Sequence, residues 1–291
     1  MINGIQINSK DKELQMIEEY KQGVCVKVLQ EKYGYKTKKS ITDKIKKYYP
    51  DEYKNIIELG RENRKSYHYD LTKISSNFDA YFVGLMLTDG YVCQRKTGKI
   101  CGIDLTDEDC IAFLSKVIGK EYQAYAPYKR KAINTDIIIN SQKTRYRLLL
   151  NGEKLPEQLK RFGVVENKSL TLQPPILLPE EEKFIPYIIR GIIDGDGSVS
   201  PTNYGGSQFY ICSMSFDFIK WCKETLENKL FMESLHLRQN DRGLWRLETA
   251  NYWDIFKLIA LVYDKPFGMN RKYTLLRKTF NDYNKTSLPI W

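Results

Sequence analysis

Two aspartates, Asp89 and Asp196, close two apolar stretches that repeat one another. Tyr81-Phe82-Val83-Gly84-Leu85-Met86-Leu87-Thr88-Asp89-Gly90 and Ile188-Ile189-Arg190-Gly191-Ile192-Ile193-Asp194-Gly195-Asp196-Gly197 superpose on a shift of 107 residues, position 81 onto 188. Each reads as a short apolar helix ending in an acidic residue and then glycine, the residue that supplies a left-handed helix stop. Gly84 and Gly191 hold matched central positions, where a missing side chain lets two helices approach almost backbone to backbone. Helices packed that way would bring Asp89 and Asp196 together. Two carboxylates at helix C-termini repel each other and the negative dipole ends unless a cation lies between them. Mg2+ accepts carboxylate and water oxygens and needs few protein ligands, so it (or Mn2+) is the expected ion. Such an arrangement can activate a water and stabilise a leaving oxygen in phosphodiester hydrolysis.

The composition leaves oxygen as the ligand. With His68 and His236 the only histidines, a site needing two or three clustered imidazoles is disfavoured. The six cysteines (Cys25, Cys93, Cys101, Cys110, Cys212 and Cys222) form no CxxC pair and read as buried small hydrophobes.

The elements that must position the two motifs also repeat. After the first come a hairpin (91–95 with 100–105, around Thr97-Gly98), a helix over 107–118, strands over 122–139 and 144–150, and a helix over 154–162. After the second come a hairpin (198–200 with 208–213), a helix over 216–230, strands over 234–239 and 244–249, and a helix over 252–262. The fold class is therefore α+β: two pseudo-symmetric αββαββα halves, residues 78–169 and 187–291, joined by a proline-rich connector over 170–186. Ahead of them, residues 1–50 read as three helices, 11–22, 25–33 and 40–49, with stops at Gly23 and Gly34. The turn Gly34-Tyr35-Lys36-Thr37 is of helix-turn-helix type, and six lysines against one aspartate between Lys36 and Lys47 suit DNA phosphates, including Lys38, Lys39 and Lys44. The alternative is a small helical bundle with a solvated lysine face. Residues 51–77, polar and rich in Lys, Arg, Asn and Tyr, read as a linker.

The chain has 291 residues, enough for a large core, and 42% hydrophobic with 28% charged residues sets it apart from disordered sequences. Lys and Arg number 46 against 36 acidic groups, a net +10, which points to a polyanion, nucleic acid or an anionic membrane surface. No apolar run is long enough to span a bilayer and no signal-peptide pattern opens the chain, so a soluble cytoplasmic protein is expected, an organelle-encoded origin being left open.

The paired motifs resemble those of the LAGLIDADG homing endonucleases in their two-motif, single-chain form, over about residues 78 to 280, here with an N-terminal helix-turn-helix extension. The resemblance implies that the last acid of each motif, Asp89 and Asp196, ligates the catalytic divalent metal, with the carbonyls of Thr88 and Gly195 assisting. Asp194 matches the earlier acidic position, where the first copy has Leu87, and Arg190 replaces a usual small residue, so looser or outward packing is expected there. Asn167-Lys168-Ser169-Leu170 and Arg271-Lys272-Tyr273-Thr274 follow the last helix of each half. The family places a lysine here beside each scissile phosphate, which makes Lys168 and Lys272 catalytic candidates and Arg271 the substitute and a DNA contact. It further implies that the outer sheet faces bind DNA through Gln94, Lys96, Lys129, Lys131, Arg145, Arg147, Arg238, Asn240 and Arg246. The expected activity is site-specific cleavage of double-stranded DNA, one phosphodiester per strand, by a monomer on a long, imperfectly palindromic target, in the service of intron homing. The alternatives are a catalytically weak DNA-binding regulator on the same fold and an RNA intron maturase.

Overall fold

The computed structural model of the chain describes residues 9–24, 26–65, 69–95, 98–131, 138–152, 154–201 and 207–286. It divides into two compact units, Met1–His68 and Tyr69–Trp291.

The first unit is helical: α1 (Ser9–Lys21), α2 (Val26–Tyr33), α3 (Lys38–Tyr48) and α4 (Tyr53–Lys65). Their apolar stripes close a core of Met16, Ile17, Tyr20, Leu29, Ile41, Ile45 and Ile56. Gly34, at φ +75°, stops α2 in the left-handed region, and Thr37 caps α3 by accepting the Ser40 N–H. The segment read as a linker over 51–77 is largely structured. Ile56 is buried in the first unit, and Gly60 lies so close to Tyr20 that a Cβ would stand 2.5 Å from the ring. On the far side, Leu71 and Ile74 are buried in the second unit. Composition made this stretch look soluble because only one stripe of α4 is apolar.

The second unit contains two sheets of the same topology. The first half runs α5 (Asn77–Thr88), β1 (Gly90–Arg95), β2 (Gly98–Leu105), α6 (Glu108–Ile118), β3 (Tyr122–Tyr125), β4 (Tyr128–Lys131), β5 (Ile138–Ser141), β6 (Arg145–Asn151) and α7 (Lys154–Leu159). The second runs α8 (Ile185–Asp196), β7 (Gly197–Pro201), β8 (Ser207–Ser213), α9 (Phe216–Leu230), β9 (His236–Gln239), β10 (Trp245–Thr249), α10 (Tyr252–Val262) and α11 (Asn270–Thr286). Strand order is β1-β2-β6-β3 in one antiparallel sheet and β7-β8-β10-β9 in the other. The α+β class with two matched halves therefore holds. The strand expected over 122–139 is broken: Pro127 offers no ladder donor, and β4 pairs with β5 as a separate two-stranded ribbon. No helix among the described residues is long and apolar enough to cross a membrane.

Alternation directs one face of each sheet inward, with Cys101, Ile103 and Leu105 of β2 and Phe209 and Ile211 of β8 buried. Both repeated motifs lie deep in this unit. Every residue of α5 from Phe78 to Leu87 is buried, as befits a helix apolar on all sides. Of the cysteines, Cys101, Cys110 and Cys222 are buried, Cys93 and Cys212 only half so, and Cys25 lies outside the described residues.

Candidate active site

The two motif helices cross at their central glycines. A Cβ on Gly84 would stand 2.2 Å from the Ile188 carbonyl oxygen and 2.8 Å from Gly191 Cα; one on Gly191 would meet Tyr81 O at 2.4 Å. Only hydrogen at both positions permits this approach. Gly195 has the same cause: its Cβ would fall 2.0 Å from Thr88 Oγ1 and 3.0 Å from Asp89 Oδ2, so the end of α5 presses against the end of α8. The glycines that follow the aspartates act differently from the left-handed stop expected of them. Gly197 has φ −99°, and Gly90 is not among the residues of positive φ. Both are needed because the chain passes from helix directly into strand, where a Cβ would meet the main chain of Met86 (2.5 Å) or Ile193 (2.7 Å).

This crossing brings Asp89 and Asp196 into one electrostatic neighbourhood. Burial and then the Asp196 charge push the Asp89 carboxyl up to about 6. Asp196, although its outer edge is exposed, is also raised, by the dense protein around its base, against the pull of Lys168 and Lys272. Neither carboxylate has a hydrogen-bond or ion-pair partner among the described residues. The contrast with Asp194 is sharp, because that carboxylate is almost wholly buried and accepts from Tyr263 OH (2.6 Å), Tyr81 OH (2.8 Å) and Met269 N (3.2 Å). Asp194 thus ties α5, α8 and the segment after α10 together and has no free oxygen for a ligand. Arg190, expected to pack loosely or outward, is fully buried: it donates to the carbonyls of Val262, Lys265 and Phe267 and stacks on Tyr263 at 4.6 Å. One turn from Asp194 on the same helix, its charge partly offsets that acid through space without an ion-pair contact, and the first half has Val83 and Leu87 at the matched positions.

Lys168 and Lys272 are both buried, at 7% and 8% exposure, which sets them apart from ordinary surface lysines. Lys168 Nζ donates to Thr88 O at 2.8 Å. Lys272 Nζ donates to the carbonyls of Ile193 (2.6 Å), Gly197 (2.7 Å) and Gly195 (3.3 Å). Each ammonium thus neutralises the negative end of the motif helix in its own half. Burial lowers both lysines, and the nearby aspartates oppose that shift. Their local settings differ: Lys168 sits in a one-turn 3-10 helix after Asn167, a non-glycine residue at φ +55°, whereas Lys272 lies in the first turn of α11.

Among the described residues no three acidic, cysteine or histidine side chains converge as a metal cage. The donor set is two carboxylates with hard oxygens and no other partner, which suits a cation that retains several waters and fits Mg2+ better than zinc.

The outer sheet faces carry much, though not all, of the polar set read from the strands. Arg147 faces Asp104 across β6 and β2, donating from Nε (2.8 Å) and Nη2 (2.6 Å), and lies over the Tyr125 ring at 4.9 Å. Arg145 is 3.9 Å from the same carboxylate. In the second sheet Arg246 pairs with Glu248 (2.8 Å) and lies 4.1 Å over Tyr210, while Arg238 reaches Glu248 at 3.3 Å. Arg147 and Arg246 are register equivalents, since Leu148 pairs with Ile103 as Leu247 pairs with Ile211. Asp104 and Glu248, which hold these arginines, were missed because a lone acid in a strand carries no sequence signal. Gln94 departs from the set: alternation puts it on the side of buried Val92, away from Tyr91 and Arg147. Asn240 is occupied in its turn, its Oδ1 accepting from Arg242 N and Leu244 N. Arg271 grips Asp107 with both Nε (2.8 Å) and Nη2 (3.0 Å). Lys96 lies outside the described residues, as do the side chains of Lys129 and Lys131. In the first unit Lys38 and Lys39 are exposed, and Lys44 is 2.5 Å from Glu13.

No known protein-family profile matches the chain, and no curated protein does. Solved structures do match. The N-terminal LAGLIDADG domain of DUF199/WhiA is 12% identical, over 70% of this chain and 91% of that one, with a TM-score of 0.42. Full-length DUF199/WhiA from Thermatoga maritima is 10% identical over 76% and 69%, at 0.44. The LAGLIDADG meganuclease I-AabMI bound to uncleaved DNA is 10% identical over 71% and 91%, at 0.42. At such identities and scores the chemistry of the site rests on this chain's own residues.

Proposed function

We propose that the chain is a site-specific, metal-dependent double-strand DNA endonuclease of the LAGLIDADG homing type, and that Asp89, Asp196, Lys168 and Lys272 form its reacting centre. One observation carries this reading: two helices packed glycine on glycine hold two unpartnered carboxylates together in the field of two buried lysines, Asp89 feeling Lys272 more than Lys168 and Asp196 feeling Lys168 more than Lys272. A purely structural pair of acids would be hydrogen-bonded, as Asp194 is.

Asp89 and Asp196 would hold the cation, with the second lone pairs of the Thr88 and Gly195 carbonyls as further donors. Bound there, Mg2+ supplies Lewis acidity that lowers the pKa of a water and offsets phosphate charge. The protein's own part is positional and electrostatic. Lys168 and Lys272, fixed on helix-end carbonyls, stabilise negative charge as it develops on each phosphate or orient the water network. Two copies of each group on pseudo-symmetric halves match two strands of a duplex. Arg145, Arg147, Arg238 and Arg246, braced by carboxylates and tyrosine rings, present preorganised donors to base edges and phosphates. Lys38 and Lys39 on the helix after the Gly34 turn add phosphate contacts from the first unit.

The test is incubation with a library of long duplexes in Mg2+ and in Ca2+, alongside Asp89→Asn and Asp196→Asn. Cleavage by the wild type in Mg2+, lost in either variant with DNA affinity retained, is the expected result. Binding without cleavage would refute the nuclease and favour the regulator.

A further inference from the structure

Asp107 and Ser215 hold matched positions, because the ladders align Ile103 with Ile211 and each residue lies four further on, just before α6 or α9. Both are residue types favoured at a helix N-cap. Ser215 caps α9 by accepting Phe218 N, and its hydroxyl also donates to Leu172 O at 2.6 Å. Asp107 makes no side-chain cap with α6. Its two oxygens instead take Arg271 Nε and Nη2, and Asp109, two residues on, accepts Asn270 N at 2.8 Å. Tyr81 OH accepts Met269 N at 3.1 Å. The segment 269–272, which carries the second-half lysine, is therefore gripped by α5 and α6 of the first half. Conversely, Leu172 follows the turn closed by Thr171 N on Lys168 O (3.0 Å), so the second-half Ser215 anchors the segment that carries the first-half lysine.

We infer that each active-site lysine is positioned from the opposite half of the molecule, Lys272 through Asp107 and Arg271, and Lys168 through Ser215. The inference rests on the proposed nuclease and deepens it. Arg271 then serves as a positioning residue for its neighbour Lys272 and not as a DNA contact. The two braces are chemically unlike: one is an ion pair with a largely exposed guanidinium, the other a buried neutral hydrogen bond. With the Arg271 guanidinium largely in solvent and the Asp107 carboxylate mostly covered, loss of this pair costs stability modestly and leaves the fold intact, while small displacements of a catalytic group cost rate steeply.

The experiment measures single-turnover cleavage of each strand separately, on a strand-labelled duplex recovered from the library selection. Asp107→Asn and Arg271→Gln should each slow the same strand by about tenfold, leaving a nicked intermediate, with DNA affinity unchanged. Ser215→Ala should slow the other strand, and Asp107→Glu should restore the first. Equal loss on both strands, no loss, or the same strand slowed by Asp107→Asn and Ser215→Ala would overturn the inference while leaving the nuclease standing. So would weakened DNA binding by Arg271→Gln with no strand bias. A wild type that cuts neither strand removes the function and this inference together.

Discussion

A single methyl group on Gly191 probes the contact on which the site depends. In Gly191→Ala the new Cβ would stand 2.4 Å from Tyr81 O, 2.8 Å from Gly84 Cα and 2.8 Å from Leu85 N. Carbon atoms rest at about 3.5–4.0 Å, so α5 must retreat by about 1 Å. All three neighbours are main chain, and no rotamer change can absorb the overlap. Overpacking of this kind costs about 1–3 kcal/mol, and rigid backbone puts the cost at or above the upper end. Alanine recovers about 0.5–1 kcal/mol of helix propensity over glycine, leaving a net loss of about 2 kcal/mol or more. At about 2–4 °C per kcal/mol for a unit of this size, Tm falls by about 4–8 °C. The same displacement separates the Asp89 and Asp196 carboxylates, and cleavage should fall by about a hundredfold. Scanning calorimetry and single-turnover cleavage measure the two effects. Gly119→Ala is the control: at φ +72° with nothing within 4 Å, it strains only its own backbone by about 1–2 kcal/mol and leaves cleavage unchanged. A Tm for Gly191→Ala at or above the wild type would refute the crossing.

Three further outcomes follow from the same geometry. Asp89, raised to about 6, binds its proton more tightly in the folded chain than in the unfolded one, whose carboxyl titrates near about 3.9. Its contribution is complete below the unfolded value and is lost as pH rises through about 6, so metal-free wild type should lose Tm across that window; Asp89→Asn should lose less, the remainder coming from the other raised carboxyls such as Asp196, and identical profiles would defeat the assignment. Mg2+ affinity, measured by titration calorimetry, should fall as pH drops below about 6. Asp194→Leu strips the acceptor from Tyr81 OH, Tyr263 OH and the Met269 N–H and leaves the buried Arg190 charge without that acid, and should cost about 3–5 kcal/mol in urea denaturation. Adding Arg190→Val, which copies Val83 and Leu87 of the first half, should cost less than the sum of the single changes by about 1–3 kcal/mol, and simple additivity would show that the two side chains are uncoupled. Replacing Lys38, Lys39, Lys44 and Lys46 by Ala should weaken DNA binding and flatten its dependence on salt, and an unchanged slope in a filter-binding series would remove the first unit from the interface.

The halves were legible because their periodicities differ from what surrounds them. Ten-residue apolar stretches with glycine at one matched position predict two helices that touch, and the 2.2–2.8 Å overlaps at Gly84 and Gly191 are that contact. Alternating strands predicted both hairpins, and the ladders pair them in the same order. What went astray was local chemistry read without its neighbours. Gly90 and Gly197 look like left-handed stops but are needed because Met86 and Ile193 lie underneath them. Gln94 was grouped with polar strand residues, yet one step along a strand reverses the face.

The sequence alone determined the repeat, the α+β class and the two aspartates, since each depends on residue type and spacing within a short window. Which charged groups remain free was decided only by the tertiary structure. Asp194 and Asp196 are two residues apart and chemically identical, but folding surrounds one with Tyr81, Tyr263 and Met269 and leaves the other without a partner. Arg147, Arg246 and Arg271 are indistinguishable as basic residues until Asp104, Glu248 and Asp107 arrive from other strand positions or from the other half. Hydrogen bonds and ion pairs act over about 3 Å, and groups far apart in the chain reach that range only when the helices and sheets have packed.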